Sequence, residues 1–182
     1  KIKIEVNYFD RVSILPLTTK NVKSPLNKNS FKILTLEKEE LYAKKITALI
    51  NRSATRDLYD VTQLEDYDFN ILKKCLITNF LLREGNIDSL LSQKLKKPTQ
   101  KEFKSNLKSV ISKNDDDNIK KLYGSSNLLL SKIVKNISKE EINFCENFNR
   151  NNPNFEKLFE KIKINPQLNE SPLLKIISKK NN

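Results

Sequence analysis

The sequence predicts an α+β protein: strand-bearing chain over residues 1–36, then a helical bundle over residues 37–182. Three observations predict it. Lys1 to Asn7 sets Ile2, Ile4 and Val6 against Lys1, Lys3, Glu5 and Asn7, the period-two alternation of a half-buried strand. Beyond Leu36 the apolar residues recur instead at helical spacing. Pro98, Gly124 and Pro153 punctuate that helical stretch at the places where helices are expected to break, and neither a repeat nor a low-complexity linker interrupts it.

After the first strand, Arg11 to Asn29 reads as strand and loop punctuated by Pro16 and Pro25, and Ser30 to Leu36 reads as a last short strand. Thr35 is the expected cap of the helix that follows. The run Glu39 to Asp60 then carries one helix with Lys45 and Arg52, a short turn, and a second helix opening on Arg56, Asp57 and Asp60. At about 100° per residue, Leu41, Lys45, Ala48 and Arg52 share one narrow face, and Tyr42, Ile46, Leu49 and Ile50 form the adjoining apolar stripe. Asp57 and Asp60 lie three residues apart, so their carboxylates leave one side of the second helix near its N-terminus, where negative charge is favoured. On charge alone this junction fits two descriptions equally: salt bridges clamping two helices, or a functional site.

Six to eight helices are expected in the bundle. Asp68 to Glu84 places Phe69, Leu72, Leu76 and Phe80 at helical offsets, and Asn86 to Leu95 forms a shorter helix. Thr99 with Glu102, and Ser138 with Glu141, have the spacing of capping boxes and open two more. Asp115, Asp116 and Asp117 read as a solvated helix start. Phe144, Phe148, Phe155 and Phe159 fall at helix-like offsets, which favours core packing over base stacking.

Composition narrows the function classes. Lys+Arg of 34 against Asp+Glu of 22 gives a net charge of +12 and a field that attracts polyanions, although a lysine- and asparagine-rich genome would leave the same mark. Only five cations are arginines, and two of them, Arg52 and Arg56, sit in the junction. Without histidine, the common zinc sites and imidazole acid–base chemistry are excluded. Cys75 and Cys145 are isolated thiols without metal-ligand spacing. No apolar run reaches the length of a membrane span, so no membrane partner and a cytoplasmic location are expected.

The residues Glu40, Leu41, Ala43, Lys45, Ala48, Leu49, Arg52, Arg56, Asp57, Tyr59 and Asp60 resemble the signature of the AbiEii/MenT-type nucleotidyltransferase toxins, which have a polymerase-beta-like fold. That resemblance implies that residues 1–36 end a small mixed nucleotidyltransferase sheet. It gives Lys45 the triphosphate, makes Asp57 the acid that completes the site with Asp60 as the alternative, and makes Arg52 and Arg56 phosphate-binding cations. By the same resemblance, Ile4-Glu5-Val6 is similar to the strand that presents a metal-binding carboxylate, so Glu5 is either a magnesium ligand or an exposed glutamate on a half-buried strand. Two magnesium ions are implied.

The family's glycine turn and Asp-x-Asp strand have no counterpart here, since the only glycines are Gly85 and Gly124. A segment carrying them is therefore expected ahead of Lys1. The resemblance implies transfer of a nucleotide from a nucleoside triphosphate to an acceptor, RNA and specifically a transfer RNA 3′ end, with a cognate antitoxin as partner. The alternative expectation is a non-catalytic, truncated relative acting as a nucleic-acid or partner-binding helical module.

Overall fold

The computed structural model describes residues 11–24, 29–92, 95–106 and 119–180. The expected strand Lys1 to Asn7, with Glu5, and the acidic run Asp115 to Asp117 lie outside the described residues. What is described is α+β: one antiparallel ribbon followed by a mostly helical body. Strands β1 (Thr18–Lys23) and β2 (Ser30–Thr35) pair from Thr18 opposite Thr35 to Lys23 opposite Ser30. Phe31, Ile33 and Leu34 on β2, with Leu17 just before β1, are exposed.

Thr35 does not cap the first helix. It ends β2, and helix α1 (Lys38–Arg52) has Glu37 in the capping position, with extended backbone and no side-chain cap bond. A hydroxyl placed two residues before the cap is out of reach of the second and third helical amides. Helix α1 buries Ala43, Ile46, Leu49 and Ile50, as its apolar stripe requires, and leaves Leu41 and Arg52 exposed. Ser53 closes it in the left-handed conformation (φ 48°), its N–H donating to the Leu49 carbonyl. Ser53 and Ala54 are the whole link to α2 (Thr55–Thr62).

Helix α3 (Phe69–Glu84) is capped by Asp68, whose side chain accepts from the amides of Asn70 and Ile71 at 2.8 and 3.0 Å. It is the central element. Leu72, Cys75, Leu76, Ile77, Phe80, Leu81 and Leu82 are all buried, so apolar residues surround the helix instead of marking one stripe. Gly85 ends it at φ +81°, a conformation that favours glycine. Helices α4 (Asp88–Ser92), α5 (Gln100–Asn106), α6 (Ile119–Lys135), α7 (Lys139–Asn149), α8 (Phe155–Phe159) and α9 (Pro172–Lys180) follow, with a 3₁₀ helix over Pro166–Glu170 before the last. The described residues thus hold nine α-helices, more than expected, because α8 is five residues long and too short to show a period, while α4 falls within the short helix expected over Asn86 to Leu95.

Both capping boxes form. Thr99 and Glu102 exchange bonds of 3.2 and 2.7 Å between side chain and amide at the start of α5. Ser138 and Glu141 exchange bonds of 3.2 and 2.8 Å at the start of α7. Gly124, in contrast, breaks nothing: it lies inside α6, where a Cβ would meet no atom within 4 Å. The phenylalanines are core. Phe144, Phe148 and Phe155 stand with ring centroids 5.5 to 6.5 Å apart across α7 and α8, and Phe159 is fully buried beside them.

Candidate active site

The junction is built by the ends of two helices with opposite electrostatic character. Arg52 stands in the last turn of α1, where the helix terminus is partly negative, and Asp57 in the first turn of α2, where it is partly positive. The two-residue link brings them together. Arg52 donates from Nε to Asp57 Oδ2 at 2.6 Å and from its terminal nitrogen to Oδ1 at 2.7 Å, a two-pronged pair. Asp57 is buried and Arg52 is 66% exposed, so the guanidinium covers the acid from the solvent side. Its hydrogen bonds to Asp57, and then the charge of Asp57, hold the Arg52 guanidinium above its ordinary value.

Further along both helices, the Lys45 ammonium lies 2.8 Å from Asp60 Oδ2. Lys45 precedes Arg52 by seven residues, about 10 Å of α1, and Asp60 follows Asp57 by about 5 Å of α2, so the pairs are successive rungs between helices that diverge from one corner. The second rung is the open one: the Lys45 and Asp60 side chains are 35% and 43% exposed. Arg56 is exposed at the start of α2. Of the residues singled out in the sequence, the structure joins Arg52 to Asp57 and Lys45 to Asp60, and Glu5 lies outside the described residues.

Among the described residues no group of three or more acidic or thiol side chains is arranged to hold a metal ion. Both oxygens of Asp57 are engaged by Arg52, and Asp60 faces Lys45. The donor set among the described residues does not fit two magnesium ions. A cavity of about 360 Å³ opens elsewhere, between α3, α7 and α8, with Lys74, Phe144, Asn147, Asn154 and Lys157 in its walls, and none of the eleven signature residues lines it.

Sequence reasoning gave no role to Glu40, which the fold makes a hub. Glu40 is fully buried, and its Oε2 accepts from the amides of both Ile14 and Leu15 at 2.9 Å. One signal was available: Glu40, Ala43, Thr47 and Ile50 share the buried side of α1, and a carboxylate on the inward face of a helix requires buried donors.

A two-stranded ribbon followed by a helical body, with Lys–Asp and Arg–Asp pairs at one helix corner, makes this an α+β protein whose charged junction sits between α1 and α2. A family model described as the nucleotidyl transferase AbiEii toxin of type IV toxin–antitoxin systems matches residues 1–160, and the chain belongs to that family. The family implies a nucleoside triphosphate as substrate, metal use and an antitoxin context. No curated protein and no solved structure matches the chain. No helix among the described residues is long and apolar enough to cross a membrane.

Proposed function

We propose that this chain transfers a nucleotide from a nucleoside triphosphate to the 3′ hydroxyl of an RNA acceptor, a transfer RNA end, with Lys45 holding the triphosphate. The observation that carries the reading is the half-exposed Lys45–Asp60 pair within the family signature. An ammonium held at 2.8 Å by a carboxylate is charged, aimed and desolvated on one side before any ligand arrives. When a triphosphate enters, its oxygens replace Asp60 as the partner of Lys45, so positive charge meets the phosphate without a large rearrangement. Asp57 works through Arg52, whose guanidinium it fixes beside the corner, and the exposed Arg56 adds charge next to it. The acceptor hydroxyl gives up its proton to solvent as its oxygen attacks the α-phosphorus, the bond from that phosphorus to the bridging oxygen breaks, and pyrophosphate leaves with the negative charge that the cations offset.

Glu5 remains the proposed metal ligand. The net charge of +12 supports a polyanionic acceptor. It equally supports a second reading, a helical module that binds RNA without modifying it. The domain division follows the same reading: residues 1–36 end the nucleotidyltransferase sheet, and residues 37–182 form the wall that carries the lysine and the Arg-Asp motif.

Incubation with labelled nucleoside triphosphates and total cellular RNA separates the two. Label in RNA with the full-length wild-type protein, lost in Lys45→Ala and Asp60→Ala at unchanged circular dichroism, is expected. Full transfer by Lys45→Ala would remove that lysine from the site. RNA binding that weakens with salt, without any label transferred by the wild type, would favour the binding module.

A further inference from the structure

The segment Ser13 to Leu15 has no regular secondary structure, yet all three residues are buried. Buried irregular backbone must find partners outside any ladder. Those partners come from two distant places in the chain. From one side, Glu40 on α1 accepts the amides of Ile14 and Leu15 at 2.9 Å each. From the other, Asn165 donates its backbone N–H to the Ile14 carbonyl at 2.8 Å and its carboxamide nitrogen to Ser13 Oγ at 2.9 Å. The Ser13 hydroxyl, with its oxygen accepting from Asn165, donates onward to the Leu15 carbonyl at 2.6 Å.

We propose that Glu40 and Asn165 form a two-sided clasp that fixes the chain at Ser13 to Leu15 against the helix carrying Lys45, making both of them positioning residues for the nucleotide site. The clasp sits five residues before Lys45 on one side, slightly more than one turn of α1. On the other it holds the chain that leads back to Glu5, eight residues before Ser13. A carboxylate accepting two amides fixes direction as well as distance, because both donors must converge on one oxygen. Asn165 lies beyond the residues matched by the family, so the C-terminal stretch supplies half of the grip on the N-terminal one. Buried Leu168 holds that stretch in the core just after Asn165.

The catalytic part of this inference rests on the nucleotide-transfer reading, and two readouts in the full chain keep them apart. Hydrogen exchange at the Ile14 and Leu15 amides reports the clasp without any substrate. Steady-state transfer reports its consequence. In Glu40→Ala both amides are expected to exchange at least about tenfold faster and kcat to fall about 10- to 100-fold at unchanged KM, the scale of a small misplacement of reacting groups. Glu40→Gln retains an acceptor oxygen and is expected to recover most of the protection and most of the rate. Asn165→Ala should shift both readouts in the same direction, and it carries the test with Glu40→Gln if Glu40→Ala does not fold.

A Glu40→Gln variant as inactive as Glu40→Ala, with its amides still protected, would show that Glu40 acts through its charge and overturn the proposal. So would rapid exchange in Asn165→Ala at unchanged kcat. A full-length wild-type protein that transfers no nucleotide removes the transfer reading and the positioning role with it, while protected amides would still register an intact clasp, so the two failures are distinguishable.

Discussion

Arg52 engages both carboxylate oxygens of Asp57, at 2.6 and 2.7 Å, and in doing so joins the end of one helix to the beginning of the next. A buried acid of the signature is thereby committed to a cation five residues before it. Replacing Arg52 by alanine leaves a 6% exposed carboxylate without its two donors, a change expected to destabilise the fold by about 1–3 kcal/mol, nearer the lower figure because solvent reaches the guanidinium side. Arg52→Lys should recover only part of this, since an ammonium cannot present the fork that Asp57 accepts. Urea denaturation of the two variants checks it. Equal midpoints for wild type and Arg52→Ala would mean that water takes the place of the guanidinium without loss.

A second ion pair lies deep between α3 and α7, where Lys73 Nζ is 3.0 Å from Glu141 Oε2 and both side chains are under a tenth exposed. Lys73 also donates to the Asn136 carbonyl, and Glu141 accepts the Ser138 amide of its own capping box. Lys73→Met strands a buried carboxylate and should cost about 3–5 kcal/mol. Adding Glu141→Gln removes the stranded charge while keeping an acceptor for Ser138, so the double variant should be more stable than Lys73→Met alone. Strict additivity of the two changes would count against this account.

The two glycines should respond to alanine with opposite signs. Gly85 terminates α3 at φ +81°, and although a Cβ there would meet Ile177 at an ordinary 3.6 Å, the backbone conformation itself opposes it, by about 1 kcal/mol. Gly124 is a mid-helix residue with open space around it, so Gly124→Ala should stabilise by about 0.5–1 kcal/mol. Thermal unfolding of both variants suffices to test the pair.

Burial governs the thiols. It pushes the Cys145 thiol up to about 11 and raises the Cys75 thiol further, where the nearby charge of Glu40 adds to it. An unfolded thiol ionises near 9. Between that value and the folded one, the unfolded chain has released a proton that the folded chain retains, so stability is expected to fall as pH rises from about 9 to 11. Both cysteines should also resist a thiol-exchange reagent near pH 8 until the protein unfolds. Stoichiometric modification of the folded chain at that pH would contradict the burial of both.

Local signals in the sequence were read correctly where their partners were local. Thr99 with Glu102 and Ser138 with Glu141 are three residues apart, and a helix start needs nothing more distant to satisfy it. The stripe Ile46, Leu49 and Ile50 was equally legible because helical periodicity alone selects a buried face. Thr35 and Gly124 misled because residue preference was read without position: one is two residues early for a cap, and the other is tolerated within a long helix whose packing outweighs its propensity. Partners brought in from afar were not legible. Glu40 with Ile14, Lys73 with Glu141, and Asn165 with Ser13 are joined only after the chain has folded back on itself. Within the site, the sequence showed three cations and two acids at one corner, and the backbone decided that Arg52 pairs with Asp57 and Lys45 with Asp60, with Arg56 exposed beside them.

Helix α3, buried on all sides, has a kinetic consequence. Because α1, α7, α8 and α9 all pack against it, no single neighbour can detach without wetting its side chains. The amides of Leu76 to Leu81 should therefore become accessible only when the whole body opens, and their exchange would measure the global stability of the protein. The lysine-bearing α1 leans on that same helix, so the geometry at the Lys45–Asp60 corner would have the lifetime of the entire fold rather than that of a surface loop.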